Sequence, residues 1–312
     1  MIEIIKSEER ESLAVSLKRI RERSVALDGQ LMKDVAAIID DVRNRRDAAL
    51  IEYAARFDGV TLQQSELRVD EGKLREAASH VDNDLLTALR EAIVNVHRFH
   101  EHQREASWQF EPVDGVRLGQ RITPISKAGL YVPGGTASYP SSVIMNVVPA
   151  QVAGVERIIV ATPPGALQQN SAVAAALIEL GVTEVYAVGG AQAIAALAYG
   201  TETVPAVDKI TGPGNRYVAA AKKLVFGVVG IDSIAGPSEV VILADDNARA
   251  DFIAADLLAQ AEHDEDASAV LITTSESLAR EVATELNQQL STLPRKAIAE
   301  KSLAQYGTLI VV

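Results

Sequence analysis

The hydrophobic and polar positions of this chain follow two rhythms. Up to about residue 105 the apolar residues recur at helical spacing. "MKDVAAIIDDVRNRRDAALIEYAARFDG" repeats them every three to four positions and stops at Gly59, which predicts an amphipathic helical stretch closed by glycine. "DEGKLREAASHVDNDLLTALREAIVNVHRFHEHQREA" continues the pattern, and its polar "DND" predicts a break between two helices. "VDGVRLGQRITPISKAGLYVPGG" then turns β-like and ends in a Pro-Gly-Gly turn.

From about Glu156 short apolar runs alternate with helical ones. "ERIIVATPP", "VTEVYAVGG", "VDKITGPGN", "SEVVILAD", "SAVLITT" and "GTLIVV" read as strands. Between them, "SAVAAALIELG", "AQAIAALAYG", "RYVAAAKKLVFG", "ARADFIAADLLAQAEH" and "ESLAREVATELNQQLSTL" read as helices. This alternation predicts an α/β fold, with parallel sheets carrying helices on both faces. The chain stops on Ile310-Val311-Val312. A buried parallel strand ordinarily leads into another βα unit, so the pattern favours a fragment over a natural C-terminal edge strand. An uncovered edge at "GTLIVV" would be an aggregation hazard.

Composition narrows the function classes. The 312 residues include 42 acidic and 30 basic ones, a formal charge of -12. The only basic patches are short, such as "RNRR" and "KK", which argues against nucleic-acid binding. There is no cysteine, so disulfides, cysteine-ligated zinc and a thiol nucleophile are excluded for this stretch. The N-terminus "MIEIIKSEERES" lacks a secretory apolar core, and polar residues or glycine break every apolar tract before a membrane span accumulates. A cytoplasmic protein with no membrane contact is expected.

Three glycine turns follow predicted strands: "YVPGGTAS" (Gly134, Gly135), "VGGAQAIA" (Gly189, Gly190) and "TGPGNRYV" (Gly212, Gly214). In an α/β sheet such turns lie at the carboxyl edge of the strands, where ligands bind, and the following helix offers free N–H groups to an anion. None is a G-x-G-x-x-G, and each is by itself also an ordinary tight turn. Gln192 and Asn215 follow two of them. Both can donate and accept hydrogen bonds, as a cofactor amide or ribose requires, or they are a solvent-facing first-turn residue and a helix cap. Ser238 in "AGPSEV" runs into a strand, not through a nucleophile elbow, so it reads as a turn residue or a substrate contact. His97, His100 and His102 in "VHRFHEH" read as a helix surface or, less simply, a zinc pair. Gln260 and His263 in "QAEH" sit three apart on a helix end, followed by Asp264, Glu265 and Asp266. They are either two ligands of an incomplete metal site or a capped terminus.

Taken together, "GLYVPGGTASYPSSVIMN", "VYAVGGAQAIAALAYGTETVPAVDKITGPGN", "AGPSEVVILAD" and "DLLAQAEHDEDASAVLIT" resemble the histidinol dehydrogenases over roughly residues 120–273, and "RRDAALIEYAARFDGV" resembles the family's N-terminal region. The resemblance implies a zinc-containing homodimer that uses NAD to oxidise L-histidinol through the aldehyde to L-histidine in histidine biosynthesis. It implies two Rossmann-like domains: residues 28–129 plus 239–312, C-terminally incomplete, and an NAD-binding domain at 130–238, after an N-terminal helical segment at 1–27. Tyr131, Gln192 and Asn215 match the family's NAD contacts. Ser238 matches a substrate contact. Gln260 and His263 match zinc ligands that also touch substrate. The family's catalytic Glu-His pair, a zinc-ligating Asp and a further zinc-ligating His fall beyond Val312, so no catalytic residue is assigned here and this chain alone is expected to be inactive. Two alternatives stay open: a non-catalytic NAD- or phosphate-binding protein, and a related zinc-dependent dehydrogenase of another small polar alcohol.

Overall fold

The structure is a computed structural model that describes residues 2–22, 29–134, 140–234 and 238–312. The chain opens with β1 (Glu3–Lys6) and α1 (Arg10–Glu22). Then come α2 (Gly29–Arg45), α3 (Asp47–Tyr53), α4 (Glu71–Ala78), α5 (Asn83–Glu101), β2 (Trp108–Val113), β3 (Val116–Gln120) and β4 (Lys127–Tyr131). α6 (Pro140–Val152), β5 (Arg157–Thr162), α7 (Ala166–Gln169), α8 (Ser171–Glu179), β6 (Val185–Ala187), α9 (Gly190–Tyr199), β7 (Lys209–Thr211), α10 (Arg216–Val225) and β8 (Gly230–Ile231) follow. The last stretch is β9 (Glu239–Ala244), α11 (Ala250–Ala261), β10 (Ser268–Thr273), α12 (Glu276–Leu290), α13 (Lys296–Tyr306) and β11 (Gly307–Val311). The chain forms two units, Leu27–Ile234 and Met1–Ala26 with Ala235–Val312.

The larger unit is built on a parallel sheet of order β6-β5-β4-β7-β8. Strand side chains alternate between faces, and the two faces feed two cores. Tyr131, Ile159, Ala161 and Ile210 pack with α2, α9 and α10, whereas Ala128, Leu130 and Val160 pack with α4, α6 and α8. The predicted helix break at "DND" is a capping site, since Asp82 Oδ1 accepts from the Leu85 N–H at 2.7 Å. The first helical stretch is broken at Arg46, whose φ of 53° is unusual for a residue with a side chain. It then runs through α3 into a π-helical turn, Ala54–Asp58, and ends at Gly59 with φ 67°. β2 and β3 form an exposed antiparallel ribbon.

The smaller unit is a parallel sheet of order β1-β11-β10-β9. Ala269, Leu271 and Leu309 on one face pack with Leu257, Val282 and Leu303 of α11, α12 and α13. Thr308, on the other face, shares a 2.7 Å hydrogen bond with Ser16 of α1.

Both sheets are parallel and carry helices on both faces, as the alternating pattern predicts. One expectation is revised. β11, "GTLIV", is not an edge: β1 pairs with it on one side and β10 on the other. The N-terminal segment carries β1 as well as α1. Residues 28–129 pack in the same unit as 130–234. The apolar stripe Leu31, Val35, Ile39 and Val42 of α2 is buried in the same cluster as the alanine-rich α9, and burial of that stripe decides which unit the helix joins.

Candidate active site

The strand order of the larger sheet reverses at β4. β5 and β6 lie on one side of it, and β7 and β8 on the other. In open α/β sheets the crevice at such a switch point, beyond the carboxyl ends of the strands, is the ligand site. The three glycine turns follow β4, β6 and β7, and the described parts of them are tied together there. The Gly190 N–H donates to the Tyr131 hydroxyl at 3.0 Å. A Cβ placed on Gly134 or Gly189 would approach Pro163 to 3.0 and 2.9 Å, so both backbones sit against the turn after β5. Gly212, at φ +118°, is closer still: its Cβ would lie 2.1 Å from the Tyr131 carbonyl oxygen. Glycine is required there by both conformation and contact.

These turns border a cleft of about 550 Å³ that brings Tyr131, Gln192 and Asn215 together. Gln192 is buried, 2 % exposed, and not the solvent-facing residue that its first-turn position suggested. Asn215 does cap α10: its Oδ1 accepts from the N–H groups of Tyr217 at 3.0 Å and Val218 at 3.2 Å. The cap uses the oxygen and leaves the amide nitrogen as a donor. Burial pushes the Tyr131 hydroxyl up from its ordinary value, more than the Gly190 N–H lowers it, so it stays a neutral donor and acceptor.

Three further residues on the cleft carry no sequence motif. Phe57 and Tyr217 line it, and so does Asp58 at the end of the π-helical turn. Asp58 Oδ2 is buried and has no hydrogen-bond partner, and that burial raises its carboxyl. π-Turns concentrate at functional positions, but helical periodicity does not distinguish them. The only available signal was an acid directly before the glycine stop in "RFDG". A crevice with two helix N-termini, two amides, two phenols and a carboxylate suits a long ligand carrying both anionic and hydroxyl groups. A larger cleft of about 710 Å³, beside α6 and β7, is lined by His100 and Asp232 but by none of Tyr131, Gln192, Asn215, Ser238, Gln260 or His263.

Ser238, Gln260 and His263 belong to the other unit. Ser238 is exposed at the start of β9, where its carbonyl accepts from the Ser268 N–H at 3.1 Å. Gln260 lies in the last turn of α11, and its carbonyl accepts from the His263 N–H at 3.2 Å. One turn therefore carries both side chains. Gln260 Nε2 is buried without a partner. Because the two ends of an amide are interchangeable in assignment, this position presents either a donor or a ligating oxygen. Gln260 thus fits a ligand role, and His263 is exposed beside it. Two donors do not complete a zinc sphere, and among the described residues no three His, Cys, Asp or Glu side chains are placed to hold a metal. Asp264, Glu265 and Asp266 are exposed, Asp264 closing its own loop and Glu265 pairing with Lys301. His97 pairs with Glu101 on exposed α5, and His100 with Gln103, which fits the helix-surface reading.

Comparison with known proteins covers nearly the whole chain. A sequence model of the family described as histidinol dehydrogenase matches residues 21–312. The histidinol dehydrogenase of Geobacillus kaustophilus is 55% identical over 300 residues, covering 95% of this chain and 69% of that protein. The histidinol dehydrogenase of Listeria innocua is 53% identical over 290 residues, covering 93% of this chain and 67% of that protein. The crystal structure of histidinol dehydrogenase from Elizabethkingia anophelis superposes with a TM-score of 0.89 at 37% identity, covering 100% of this chain and 71% of that one. Identity at this level along nearly the whole chain, on a backbone that follows a solved member, makes this chain a member of the histidinol dehydrogenase family of oxidoreductases.

Proposed function

We propose that the cleft at the β4–β7 switch point holds NAD through Tyr131, Gln192 and Asn215, and that Ser238, Gln260 and His263 take L-histidinol. The observation that carries this reading is the meeting of Tyr131, Gln192 and Asn215 on one cleft at the glycine-turn edge of the sheet. The first-turn N–H groups of α9 and α10 that Tyr131 and Asn215 do not occupy would meet the phosphates, the amides of Gln192 and Asn215 would serve the cofactor's polar groups, and Asp58 would accept from a ligand hydroxyl.

The oxidation runs in two rounds. The carbinol carbon must lose a hydride and the hydroxyl a proton, which leaves the aldehyde. Water adds to the aldehyde, and the hydrate must lose a hydride and two protons to become the carboxylate; bound NAD would supply the hydride acceptor in each round. With no cysteine in the 312 residues, a thiohemiacetal with this stretch has no part in the second round. Gln260 and His263 would supply two ligands of a zinc ion, whose contribution when bound is to orient the alcohol and polarise it.

Calorimetry with NAD tests the cofactor site. The chain should bind in the micromolar range, and Asn215→Ala should weaken binding about tenfold, the equivalent of one charge-assisted hydrogen bond. Absence of NAD binding would overturn the reading. Two ligands leave the metal sphere open, so the 312-residue chain alone is expected to hold zinc weakly and to turn over no histidinol. Stoichiometric, tightly held zinc would contradict that. A cytoplasmic homodimer is the proposed state of the enzyme. The exposed apolar residues of the β2–β3 ribbon, Trp108, Phe110 and Leu118, offer a surface that a second copy would cover, and light scattering gives the mass.

A further inference from the structure

We propose that Lys222 and Asp232 are positioning residues that clamp the Gly212 peptide and so hold the Gly212–Asn215 loop in its cofactor-binding form, a role that rests on the NAD reading of the adjoining cleft. Gly212 follows the last residue of β7 and is buried. At φ +118° it has left the strand conformation, so the ladder no longer satisfies its backbone, yet a buried N–H and C=O need partners. Side chains supply both. Lys222 Nζ donates to the Gly212 carbonyl at 3.0 Å. Asp232 Oδ2 accepts from the Gly212 N–H at 2.9 Å. The two side chains also form an ion pair with each other.

The arrangement costs more than simple packing requires. Lys222 is 4 % exposed, and desolvating an ammonium group is expensive unless it is paired and hydrogen-bonded. An apolar residue on the same face of α10 would fill the space without that penalty. What the charged pair adds is direction. Lys222 stands on α10, the helix that Asn215 caps, and reaches back to the loop preceding that cap. Asp232 follows β8, the strand beside β7. The clamp therefore ties the helix, the sheet edge and the loop together at the residue whose α-carbon rests on the Tyr131 carbonyl. It fixes the Asn215 side of the cleft relative to Tyr131, and both residues line that cleft.

The test compares Lys222→Met, Asp232→Asn and Asn215→Ala by direct NAD titration of the 312-residue chain, and by steady-state kinetics in both substrates in histidinol dehydrogenase with its full zinc ligand set. Both clamp variants should raise the KM and Kd for NAD about tenfold or more. The KM for histidinol, and kcat at saturating NAD, should stay within about twofold. Hydrogen exchange at the Gly212 amide should quicken, since its acceptor is weakened. If Asn215→Ala weakens NAD while folded clamp variants bind it as the parent does, the clamp proposal fails and the cofactor site stands. If Asn215→Ala is also without effect, the cofactor reading itself fails. Equal losses in both KM values would mark a merely structural role and likewise overturn the proposal. Should Lys222→Met fail to fold, Asp232→Asn, which keeps the side chain's shape, decides by the same criteria.

Discussion

Asp58 keeps a buried carboxylate oxygen without a partner, on the wall of the cleft. Burial raises its pKa, so the folded protein binds that proton more tightly than the unfolded chain does. The stabilising contribution is then full below the unfolded value and is lost as pH rises through the folded one. At neutral pH the carboxylate is a net burden on stability. Asp58→Asn should therefore raise Tm at pH 7, by about 1–3 °C given its partial exposure. The gain should vanish below about pH 4, where the acid is protonated in both states. The same variant should bind NAD more weakly, because the acceptor becomes an amide. A fall in Tm at pH 7 would show that the charge is satisfied. Gly212→Ala tests the opposite limit. Its Cβ would meet the Tyr131 carbonyl at 2.1 Å, and a backbone atom cannot turn aside as a side chain can. The expected cost is about 2 kcal/mol or more, read as a lower melting point together with weakened NAD binding. Much of this was legible from sequence. The glycine turns marked the sheet edge, and Tyr131, Gln192 and Asn215 lie beside them. Asp58 was not, because a π-turn has the same apolar periodicity as the helix it ends. Nor was the burial of Gln192, which depends on how closely the turn at Gly190 packs over it.

Elements were legible where periodicity was clean and were lost where composition obscured it. α6 carries Pro149 and five valines or isoleucines among its thirteen residues, residues that favour strand or break helices, and it does not read as a helix from sequence. α13 lies between Pro294 and the Tyr306-Gly307 junction, so its short amphipathic run merged with the loop. β1 is only four residues long and mixes two charges with two isoleucines. The join between α3 and the loop after α9 illustrates a tertiary contact with no local signature. Asp47, 4 % exposed, accepts from Thr203 Oγ1 at 2.5 Å, the Thr203 N–H at 3.3 Å and Gln64 Nε2 at 2.8 Å. Burial alone would raise its carboxyl, but hydrogen bonds from Thr201, Thr203 and Gln64 outweigh it and the pKa is lowered. The stability Asp47 provides is then present above the unfolded value, near 3.9, and is lost as pH falls through the folded one. Asp47→Ala strands these donors, and should cost about 2–3 kcal/mol at pH 7, roughly 5–10 °C in Tm. The difference from the parent should narrow as pH is taken below about 4. A constant gap across that range would assign the loss to packing instead.

At the scale of the whole chain, the two ends of the sequence build one sheet. Glu3–Lys6 lie in register with Thr308–Val311, and Ser16 bonds to Thr308 across 292 residues of sequence. β1 contributes Ile5, 1 % exposed, and closes the hydrogen-bonding side of β11 that β10 does not occupy. An apolar strand with an open edge recruits other chains, so the N-terminal strand works as a guard as well as a member of the sheet. Removing residues 2–7 should leave β11 as an edge carrying Leu309 and Ile310, two buried residues. The expected result is aggregation seen by light scattering, and faster hydrogen exchange at the β11 amides that pair with β1. The amides of β4, in the other unit, are the internal reference and should keep their protection. Ile5→Ala isolates the packing part of the effect. It should cost about 2–4 kcal/mol, the usual range for a buried branched side chain cut back to alanine, while leaving the edge paired and the protein soluble. If the strand deletion and Ile5→Ala behaved alike, β1 would serve by filling the core. If only the deletion aggregated, its main role would be to occupy the edge of β11.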